Sequence, residues 1–294
     1  MIVIDPKSTP TRDMHQFLLG AVAPRPIAFA STIDEDGNPN IAPYSFFNAF
    51  SSNPPILVFS SNRRVGDNTT KDTLHNIQKT KEVVINVVSY SIVRQMAVTS
   101  IEFPTDIDEF KKAGLTAIPS EEVKPFRVKE SPVQMECKVS DILTLGEHGG
   151  AGHLIICEVV KMHIDENVVD ENGRINPHKI DLMGRMGRAF YVRASGEAIH
   201  TIVQPVTQIS IGYDQLPDSI KNSKILTGNN IGQLAGLHHV PEEEDIIALK
   251  EQENIKTILN GPSPLKNLHR LAQRELMKEN TELAGKIAWL GAYL

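Results

Sequence analysis

Small polar side chains and aromatic rings stand next to each other between Pro43 and Asn48. Ser45 supplies a hydroxyl, Phe46 and Phe47 supply two rings, and Asn48 supplies an amide. Pro43 removes one hydrogen-bond donor from any β-ladder in which it takes part. A backbone that gives up sheet bonds while it presents small polar groups beside rings suits a flat aromatic ligand with a polar edge. We therefore expect this stretch to bind such a ring.

Cations and hydroxyls follow further along the chain. They are Ser60, Ser61, Arg63, Arg64, Lys71 and Thr73. A guanidinium can bind two phosphate oxygens at once, and hydroxyls add further donors. An Arg-Arg pair in isolation is more often part of a solvated basic loop, so these residue types leave both interpretations open.

The ring-binding stretch is positioned by a predicted hairpin. Residues 27–33 are apolar and β-branched enough for a strand, and residues 34–38 supply turn chemistry, with Gly37 free to take a positive φ. The chain then resumes extended structure. For one of the two adjacent rings, Phe46 or Phe47, we expect core packing, because neighbours in a strand face opposite ways.

The basic loop lies between a predicted strand at residues 56–60 and a predicted short helix at residues 71–80. Thr69 or Thr70 is expected to cap this helix, which leads into a strand at residues 83–88. The loop is therefore expected to be held at both ends by regular structure.

Two further features complete the outline of this region. A short helix is predicted to start near Thr11 as its cap and to end at Gly20. Strands are predicted at residues 133–145 and 153–165, and they flank the glycine-rich loop 146–152. No helix follows this loop, so it is not a dinucleotide-binding fingerprint. We expect a flexible hairpin tip or a lid.

The run PRPIAFASTIDEDGNPNIAPYSFFNAFSSNPP, residues 24–55, closely resembles the flavin reductase-like proteins with an FMN-binding split barrel. This group includes flavoredoxins and short-chain flavin reductases. The resemblance continues through Lys71-Asp72-Thr73, Asn76 and Thr80 into residues 83–89. A segment at 177–191, with Arg185, Gly187 and Tyr191, loosely resembles the closing segment of the family. The resemblance covers roughly the first two thirds of the chain.

The resemblance implies a mainly β fold with α structure: a split β-barrel of the FMN-binding, Greek-key type with peripheral helices and a helical C-terminal extension. We place the flavin reductase-like domain at residues 1–198 and the mostly helical extension at 199–294, where the composition changes. Residues 265–290 have the spacing of one long amphipathic helix. The extension is either an arm specific to a dimer or a partner, or a helical flap packed on the barrel.

The same resemblance favours the basic loop as the phosphate site of FMN, with the six cations and hydroxyls named above as its ligands. The flavin ring is assigned to the end of the first hairpin strand and to the residues after the turn. These are Ser31, Thr32, Asn40, Ala42, Pro43, Ser45, Phe46, Phe47 and Asn48. Backbone N–H groups in this region are expected to bond the pyrimidine edge of the ring.

His153 stands where similar proteins carry a histidine that enters a strand near the open face of the flavin. It is expected either to contact nicotinamide or substrate, or to be a hydrogen-bonded structural histidine. No catalytic side chain is obligatory, because hydride transfer belongs to the cofactor. No metal is assigned, because no metal-ligand spacing with Asp or Glu neighbours is found at His148, His200, His238 and His239.

The resemblance implies an oxidoreductase that transfers hydride from NADH or NADPH to flavin, with FMN held non-covalently near a homodimer interface. A flavoredoxin-like electron carrier, with tightly bound FMN and a redox protein partner, is the alternative. A flavin-binding or storage protein without catalysis is a third possibility.

Bulk properties limit the partners of the chain. Its 294 residues carry a net charge of −6 with a pI near 5.9, which argues against nucleic acid or an anionic membrane surface as the main partner. Cys137 and Cys157 are expected to be two buried reduced thiols rather than a disulfide. The absence of a basic leader and of a long apolar run favours a cytoplasmic protein.

Overall fold

The computed structural model describes residues 1–202 and 208–294. They divide into two compact units, Met1–His200 and Thr201–Leu294, which we call the N-terminal unit and the C-terminal unit. Among the described residues, no helix combines the length and the hydropathy that are needed to cross a lipid bilayer.

The N-terminal unit is built mainly from strands. They are β1 (Ala28–Ile33), β2 (Pro39–Tyr44), β3 (Phe47–Ser52), β4 (Pro55–Asn62), β5 (Glu82–Asn86), β6 (Ala117–Ile118), β7 (Arg127–Val128), β8 (Val133–Thr144), β9 (Gly152–Ile164), β10 (Leu182–Arg185) and β11 (Tyr191–Ala194). Its helices are α1 (Thr11–Ala21), α2 (Asp72–Thr80), α3 (Val93–Val98), α4 (Glu109–Ala113) and α5 (Pro177–Ile180). Short 3-10 turns occur at Tyr90–Ile92, Glu166–Val168 and Gly196–Ala198.

Within the described chain, seven strands form one antiparallel sheet in the order β2-β1-β5-β8-β9-β4-β3. Two small ladders, β10 with β11 and β6 with β7, lie apart from it. The mixed β and α architecture that was predicted is thereby confirmed.

β1 is buried along its whole length because the sheet is covered on both faces. Its side chains alternate between two apolar clusters, with Ala30 in one and Phe29 in the other. Leu74 of α2 packs in the first cluster and Met96 of α3 packs in the second.

The predicted hairpin is formed by β1 and β2. Gly37 has φ +88°, the left-handed backbone that the turn was expected to need, and the Asp34 carboxylate accepts hydrogen bonds from the backbone and side chain of Asn38, both at 2.8 Å. The register sets Thr32 opposite Asn40. The turn therefore fixes which polar side chains face each other at the end of β1.

The helix after the basic loop starts at the predicted place, but its predicted cap is wrong. Lys71 occupies the N-cap position and makes no side-chain capping bond. Thr69 and Thr70 are bound by Arg64, whose Nη1 donates to Thr69 Oγ1 at 2.7 Å and to the Thr70 carbonyl at 3.0 Å. In α1, likewise, Thr11 is the first helical residue and Pro10 takes the N-cap position.

β8 and β9 form the predicted long hairpin and carry the two cysteines. Cys137 and Cys157 are buried and form no disulfide, as expected. Hydrogen bonding to Cys157, together with burial, raises the pKa of the Cys137 thiol. The two thiols are therefore neighbours in the core.

The C-terminal unit consists of helices around its own apolar core. They are α6 (Asp218–Lys221), α7 (Gly228–Ala235), α8 (Glu243–Ala248), α9 (Glu253–Leu259), α10 (Pro264–Met277) and α11 (Thr281–Leu290), with 3-10 turns at Leu249–Glu251 and Gly291–Tyr293. The apolar core includes Leu234, Ile246, Leu268, Ala272 and Ile287.

The prediction of one long helix over residues 265–290 is wrong, because the chain breaks between α10 and α11. Glu279 has φ +64°, and the backbone N–H of Asn280 donates to the Glu275 carbonyl at 3.0 Å. The break lets both helices bury apolar side chains in one core, including Leu276 from α10 and Ala284 from α11. A continuous helix would carry its second half away from that core.

Candidate functional site

Lys71 marks the centre of the candidate site. The Lys71 ammonium lies 5.2 Å from the centroid of the Tyr44 ring and has no hydrogen bond or ion pair within the described residues. Burial lowers the pKa of Lys71, and the nearby Arg64 charge lowers it further. A desolvated ammonium of this kind is stabilised by an anion.

Buried hydroxyls lie beside the Tyr44 hydroxyl, whose ring faces this ammonium. Tyr44 lies on β2, Ser61 on β4 and Thr73 on α2, and the hydroxyls of Tyr44 and Ser61 are buried without a hydrogen-bond partner in the described structure. Burial raises the pKa of Tyr44 to about 12, whereas the neighbouring hydroxyls of Thr73 and Ser61 lower it. Buried polar groups in proteins are nearly always paired. These hydroxyls are therefore available to donate hydrogen bonds to an anionic oxygen of a ligand.

Thr73 is held by an amide network. Asn40 Nδ2 donates to Thr73 Oγ1 at 2.9 Å and to Thr32 Oγ1 at 3.2 Å, and Asn76 Nδ2 donates to Thr32 Oγ1 at 3.1 Å. Because Thr73 accepts from Asn40, its own O–H proton is left to donate. The structure therefore brings Thr32, Asn40 and Thr73 together.

The two arginines of the basic loop are bound within their surroundings. Arg64 Nε donates to the Glu102 carboxylate at 2.7 Å, in addition to its bonds in the Thr69–Thr70 segment. Arg63 Nη1 donates to the Asn68 carbonyl at 3.0 Å, and its buried Nε has no partner within the described residues. Ser60 Oγ donates to Asn62 Oδ1 at 2.7 Å. Of the predicted phosphate cations, Lys71 is thus the one whose charged group is not already engaged in the described structure.

The glycine-rich loop is bonded to this basic loop. Gly150 N donates to the Arg63 carbonyl at 3.0 Å, and Arg63 N donates to the Ala151 carbonyl at 2.9 Å. A Cβ on Gly149 would lie 2.9 Å from the Arg64 carbonyl oxygen, and one on Gly152 would lie 2.6 Å from Ser60 Oγ. The glycines therefore allow two backbones to approach closely, and the predicted hairpin tip supports the arginine-bearing loop.

The predicted ring-binding residues are split between the core and the surface. Phe47 packs against the core, as expected for one of the two rings. Phe46 lies in the connection between β2 and β3, where its carbonyl accepts from Ser60 N at 2.8 Å. Asn48 is exposed, and its Oδ1 accepts from the next backbone N–H at 2.8 Å. Ser31 is buried, with a hydroxyl that has no partner in the described structure.

The other two ring candidates lie within β2. Ala42 pairs with Ala30, and Pro43 pairs with Phe29. β2 forms one edge of the sheet, which is where a residue without a backbone N–H is tolerated.

Arg25 holds the connection between β2 and β3 in place. Its guanidinium is 5.9 Å from the centroid of Phe46, and its Nε donates to Ser45 Oγ at 3.4 Å. The same guanidinium donates to the Leu19 carbonyl at 2.7 Å and to that of Val22 at the end of α1. It also reaches the Met186 carbonyl at 3.1 Å. Arg25 therefore links three separate segments of chain at Phe46.

His153 is buried on β9, with 4% of its surface exposed, and its Nδ1 is 3.0 Å from the Ser61 carbonyl. Ser61 and His153 are register partners between β4 and β9. This environment is the one that a hydrogen-bonded structural histidine requires. The position of His153 thereby supports the strand that carries Ser61.

Sequence reasoning missed Tyr44, Arg25 and Asn76. Strand alternation was the signal for Tyr44, because Asn40, Ala42 and Tyr44 follow each other at every second residue of β2 and share one face. Asn76 was noticed for its place in a motif, but not as a side chain that reaches Thr32. For Arg25 the sequence held no signal, since its partners at Leu19, Val22 and Met186 are backbone carbonyl groups, which every residue carries.

Comparison with known proteins gives a consistent picture. The family model described as a flavin reductase-like domain matches residues 20–180. A protein from Aquifex aeolicus is 41% identical over 191 residues, which cover 65% of this chain and 95% of that protein.

Two solved structures resemble the chain closely. Nitrilotriacetate monooxygenase component B from Bacillus cereus has a TM-score of 0.63 and 32% identity, and the match covers 68% of this chain and 98% of that one. The 2-nitrobenzoate 2-nitroreductase of Pseudomonas fluorescens has a TM-score of 0.62 and 27% identity, over 72% of this chain and 100% of that one.

Proposed function

Because the chain belongs to the flavin reductase-like family, we propose that it is an FMN-dependent oxidoreductase that takes reducing equivalents from NADH or NADPH. The oxidoreductase class is common to the two similar solved proteins, whose names describe a monooxygenase component and a nitroreductase.

The observation that carries the proposal is the set of unpaired groups around Lys71. The half-buried ammonium of Lys71 supplies a positive charge, and the neighbouring hydroxyls of Tyr44, Ser61 and Thr73 supply O–H donors, for the oxygens of a phosphate monoester. The helix α2 begins directly after Lys71, so its first backbone N–H groups add a positive end. In this proposal Lys71 binds the phosphate of FMN.

The connection at Ser45 and Phe46 would hold the ring. Arg25 fixes the course of this backbone, so the segment is organised before a ligand arrives. Preorganised polar groups act on a bound ligand without a further cost of reorganisation. When bound, FMN supplies the hydride-accepting chemistry, and the residues of the chain bind and orient it.

We further propose that two copies pair through the exposed parts of the sheet. β3 is an edge strand, and Phe50 on it is 68% exposed. Leu143 on β8 and Met162 on β9 are also exposed apolar side chains. Natural proteins rarely leave an edge strand with such residues uncovered, so a second copy is a suitable cover. Sedimentation of the full-length chain and of the Phe50→Asp variant tests this, with a monomeric wild type as the contradicting result.

The visible absorption spectrum of the purified protein, before and after anaerobic addition of NADH or NADPH, tests the main proposal. A flavin spectrum that bleaches promptly supports direct oxidation of the nicotinamide. The absence of any flavin spectrum after incubation with FMN would contradict the proposal.

An electron carrier with tightly bound FMN is the second candidate. The C-terminal unit lies beyond residues 20–180, which the family model covers, and thus offers additional surface for a protein partner. In that case the flavin spectrum would persist in the presence of NADH and NADPH. Steady-state NADH oxidation with added free FMN then separates the two candidates, because a carrier would not catalyse it.

A further inference from the structure

A cleft of about 480 Å³ lies between α1 and the turn that joins β10 to β11. Its walls are apolar side chains and bare backbone, and its lining includes one cation. The lining residues are Gln16, Phe17, Gly20, Met186, Gly187, Arg188 and Phe190. The volume falls in the range of small-molecule sites in proteins.

We propose that this cleft binds a small planar aromatic ring that carries a carboxylate or a phosphate. Phe17 and Phe190 are 49% and 66% exposed, so two large apolar faces are available to a ligand. In the same lining the backbones of Gly20 and Gly187 approach each other, since a Cβ on Gly187 would lie 3.3 Å from the Gly20 Cα. Rings stack on such faces, and a Cβ on Gly20 would meet nothing within 4 Å, so the backbone there is open to a flat group.

Arg188 supplies the anion-binding group. Its side chain has no hydrogen bond or ion pair within the described residues, and none of the lining residues is a carboxylate. Its backbone has φ +56°, an uncommon conformation for a residue with a side chain. Strained positions of this kind cluster at ligand sites. The guanidinium can bind two oxygens of a carboxylate or phosphate at once.

Two other arginines reinforce the positive character of this region. Arg25 and Arg185 exchange backbone hydrogen bonds at 2.9 and 2.8 Å, and within the described residues neither forms an ion pair with a carboxylate. Burial lowers the pKa of Arg25, and the charge of Arg185 lowers it further. In a chain of net charge −6, such an uncompensated group of cations favours an anionic ligand.

The cleft adjoins the segment that is proposed to hold the flavin ring. Arg25 bonds the carbonyl of Met186 in the cleft and also lies over Phe46. His15, next to the lining residue Gln16, meets the Phe46 ring edge-on with centroids 6.1 Å apart. This placement rests on the proposed function: with FMN bound at Phe46, a ligand in the cleft lies beside the flavin. The aromatic anion is then either the acid that is reduced or the nucleotide of the reductant.

The test is calorimetric titration of the full-length protein with benzoate and, separately, with 5′-AMP. Arg188→Gly removes the guanidinium and suits the left-handed backbone, so the variant is expected to fold. It should weaken binding by at least about tenfold, as expected for the loss of one charge-assisted hydrogen bond. Arg188→Lys should retain part of the affinity, and Arg94→Ala, at an exposed arginine of α3, should leave it unchanged.

The two probes distinguish the sources of the ligand. Binding of benzoate that depends on Arg188 supports an aromatic acid, and binding of 5′-AMP that depends on Arg188 supports a nucleotide. The inference is overturned if neither probe binds at millimolar concentration, or if Arg188→Gly binds them as the wild type does.

A parallel FMN titration separates this inference from the proposed function. Arg188-dependent binding of a probe without any FMN binding would uphold the cleft and contradict the proposed function. FMN binding without binding of either probe would uphold the proposed function and contradict the ligand site in the cleft.

Discussion

At the scale of single residues, the candidate phosphate site is defined by what its side chains lack. Lys71 has no anionic partner, and the Tyr44 and Ser61 hydroxyls have no acceptor or donor within the described residues. Arg64 has the same charge as Lys71, but it is already bound to Glu102. The two cations are therefore expected to contribute unequally to ligand binding.

Lys71→Ala is expected to weaken FMN binding by about 1.5–3 kcal/mol, the contribution of a charge-assisted hydrogen bond. Arg64→Ala should have a smaller effect, because FMN would have to compete with Glu102 for the guanidinium. Fluorescence titration with FMN measures both affinities. Equal losses for the two variants, or no loss for Lys71→Ala, would contradict this assignment.

The pH dependence of FMN binding follows from the same lysine. Burial, followed by the charge of Arg64, lowers the pKa of Lys71 from its usual value, so the ammonium is lost at a lower pH than in an exposed lysine. Only the charged form attracts phosphate, and affinity should therefore fall as the pH rises through that lowered pKa. Lys71→Arg should remove the decline, because a guanidinium remains charged throughout. Titrations over a range of alkaline pH compare the two proteins.

Glu136 is a second residue whose role depends on its hydrogen-bond partners, and that role is to stabilise the fold. Its carboxylate, 0% exposed, accepts from the backbone N–H groups of Glu121, Glu122 and Val123, and lies 2.7 Å from His163 Nε2. Burial raises the pKa of Glu136, but these hydrogen bonds outweigh it and hold the pKa below its usual value. The carboxylate thus anchors the segment before β7 to β8.

Glu136→Gln is expected to lower the free energy of unfolding by about 3 kcal/mol at neutral pH, since it removes a buried charge from its donors. The folded pKa is depressed, so this stabilisation is present above the unfolded pKa of about 4.3 and is lost as the pH falls through the folded value. Denaturant unfolding of both proteins should therefore converge in acid. Glu158→Gln, at an exposed position of β9, is the matched control and should have little effect.

At the scale of elements, the site depends on two loops that are held together by backbone contacts. The glycine-rich loop between β8 and β9 supports the basic loop between β4 and α2 through hydrogen bonds in both directions. Contacts between backbones cannot be relieved by a side-chain rotation. The spacing of these glycines is therefore a requirement of packing.

Gly149→Ala should displace the basic loop, because the new Cβ would lie 2.9 Å from the Arg64 carbonyl and 3.0 Å from that of Val65. A loss of about 1–3 kcal/mol in unfolding free energy is expected, as for other overpacked sites, with weaker FMN binding. Gly66→Ala is the control in the same basic loop, since its Cβ would meet nothing within 4 Å. Thermal unfolding and FMN titration of both variants check this, and equal behaviour would contradict it.

At the scale of the whole molecule, two units have separate apolar cores. The candidate residues lie in Met1–His200, and the C-terminal unit has a core of its own. The match to the monooxygenase component covers 98% of that protein but 68% of this chain. The match to the nitroreductase covers 100% of that protein but 72% of this chain. Proteins of that shorter length therefore form this fold without such a helical addition.

A chain of residues 1–202 is accordingly expected to fold and to bind FMN with the affinity of the full-length protein. Circular dichroism reports the fold, and fluorescence titration reports the affinity. A folded truncated chain that no longer binds FMN would show that the C-terminal unit contributes to the site.

The sequence by itself determined the features that depend on local order. The β1–β2 hairpin follows from an apolar, β-branched run and the turn residues around Gly37, the helix after Lys71 from apolar spacing, and the family from the motif at residues 24–55. These signals depend on neighbours in the chain. A local pattern can specify them because the interacting groups are only a few residues apart.

Only the tertiary structure decided which candidates are free to bind. Sequence pattern ranked Arg63, Arg64 and Lys71 alike, whereas long-range contacts engage Arg64 with Glu102 and leave the Lys71 ammonium beside Tyr44. The break at Glu279 likewise arises because two helices share one core. Partners that are distant in sequence leave no periodic signal. Only the folded chain therefore shows which charged and polar groups already have a partner.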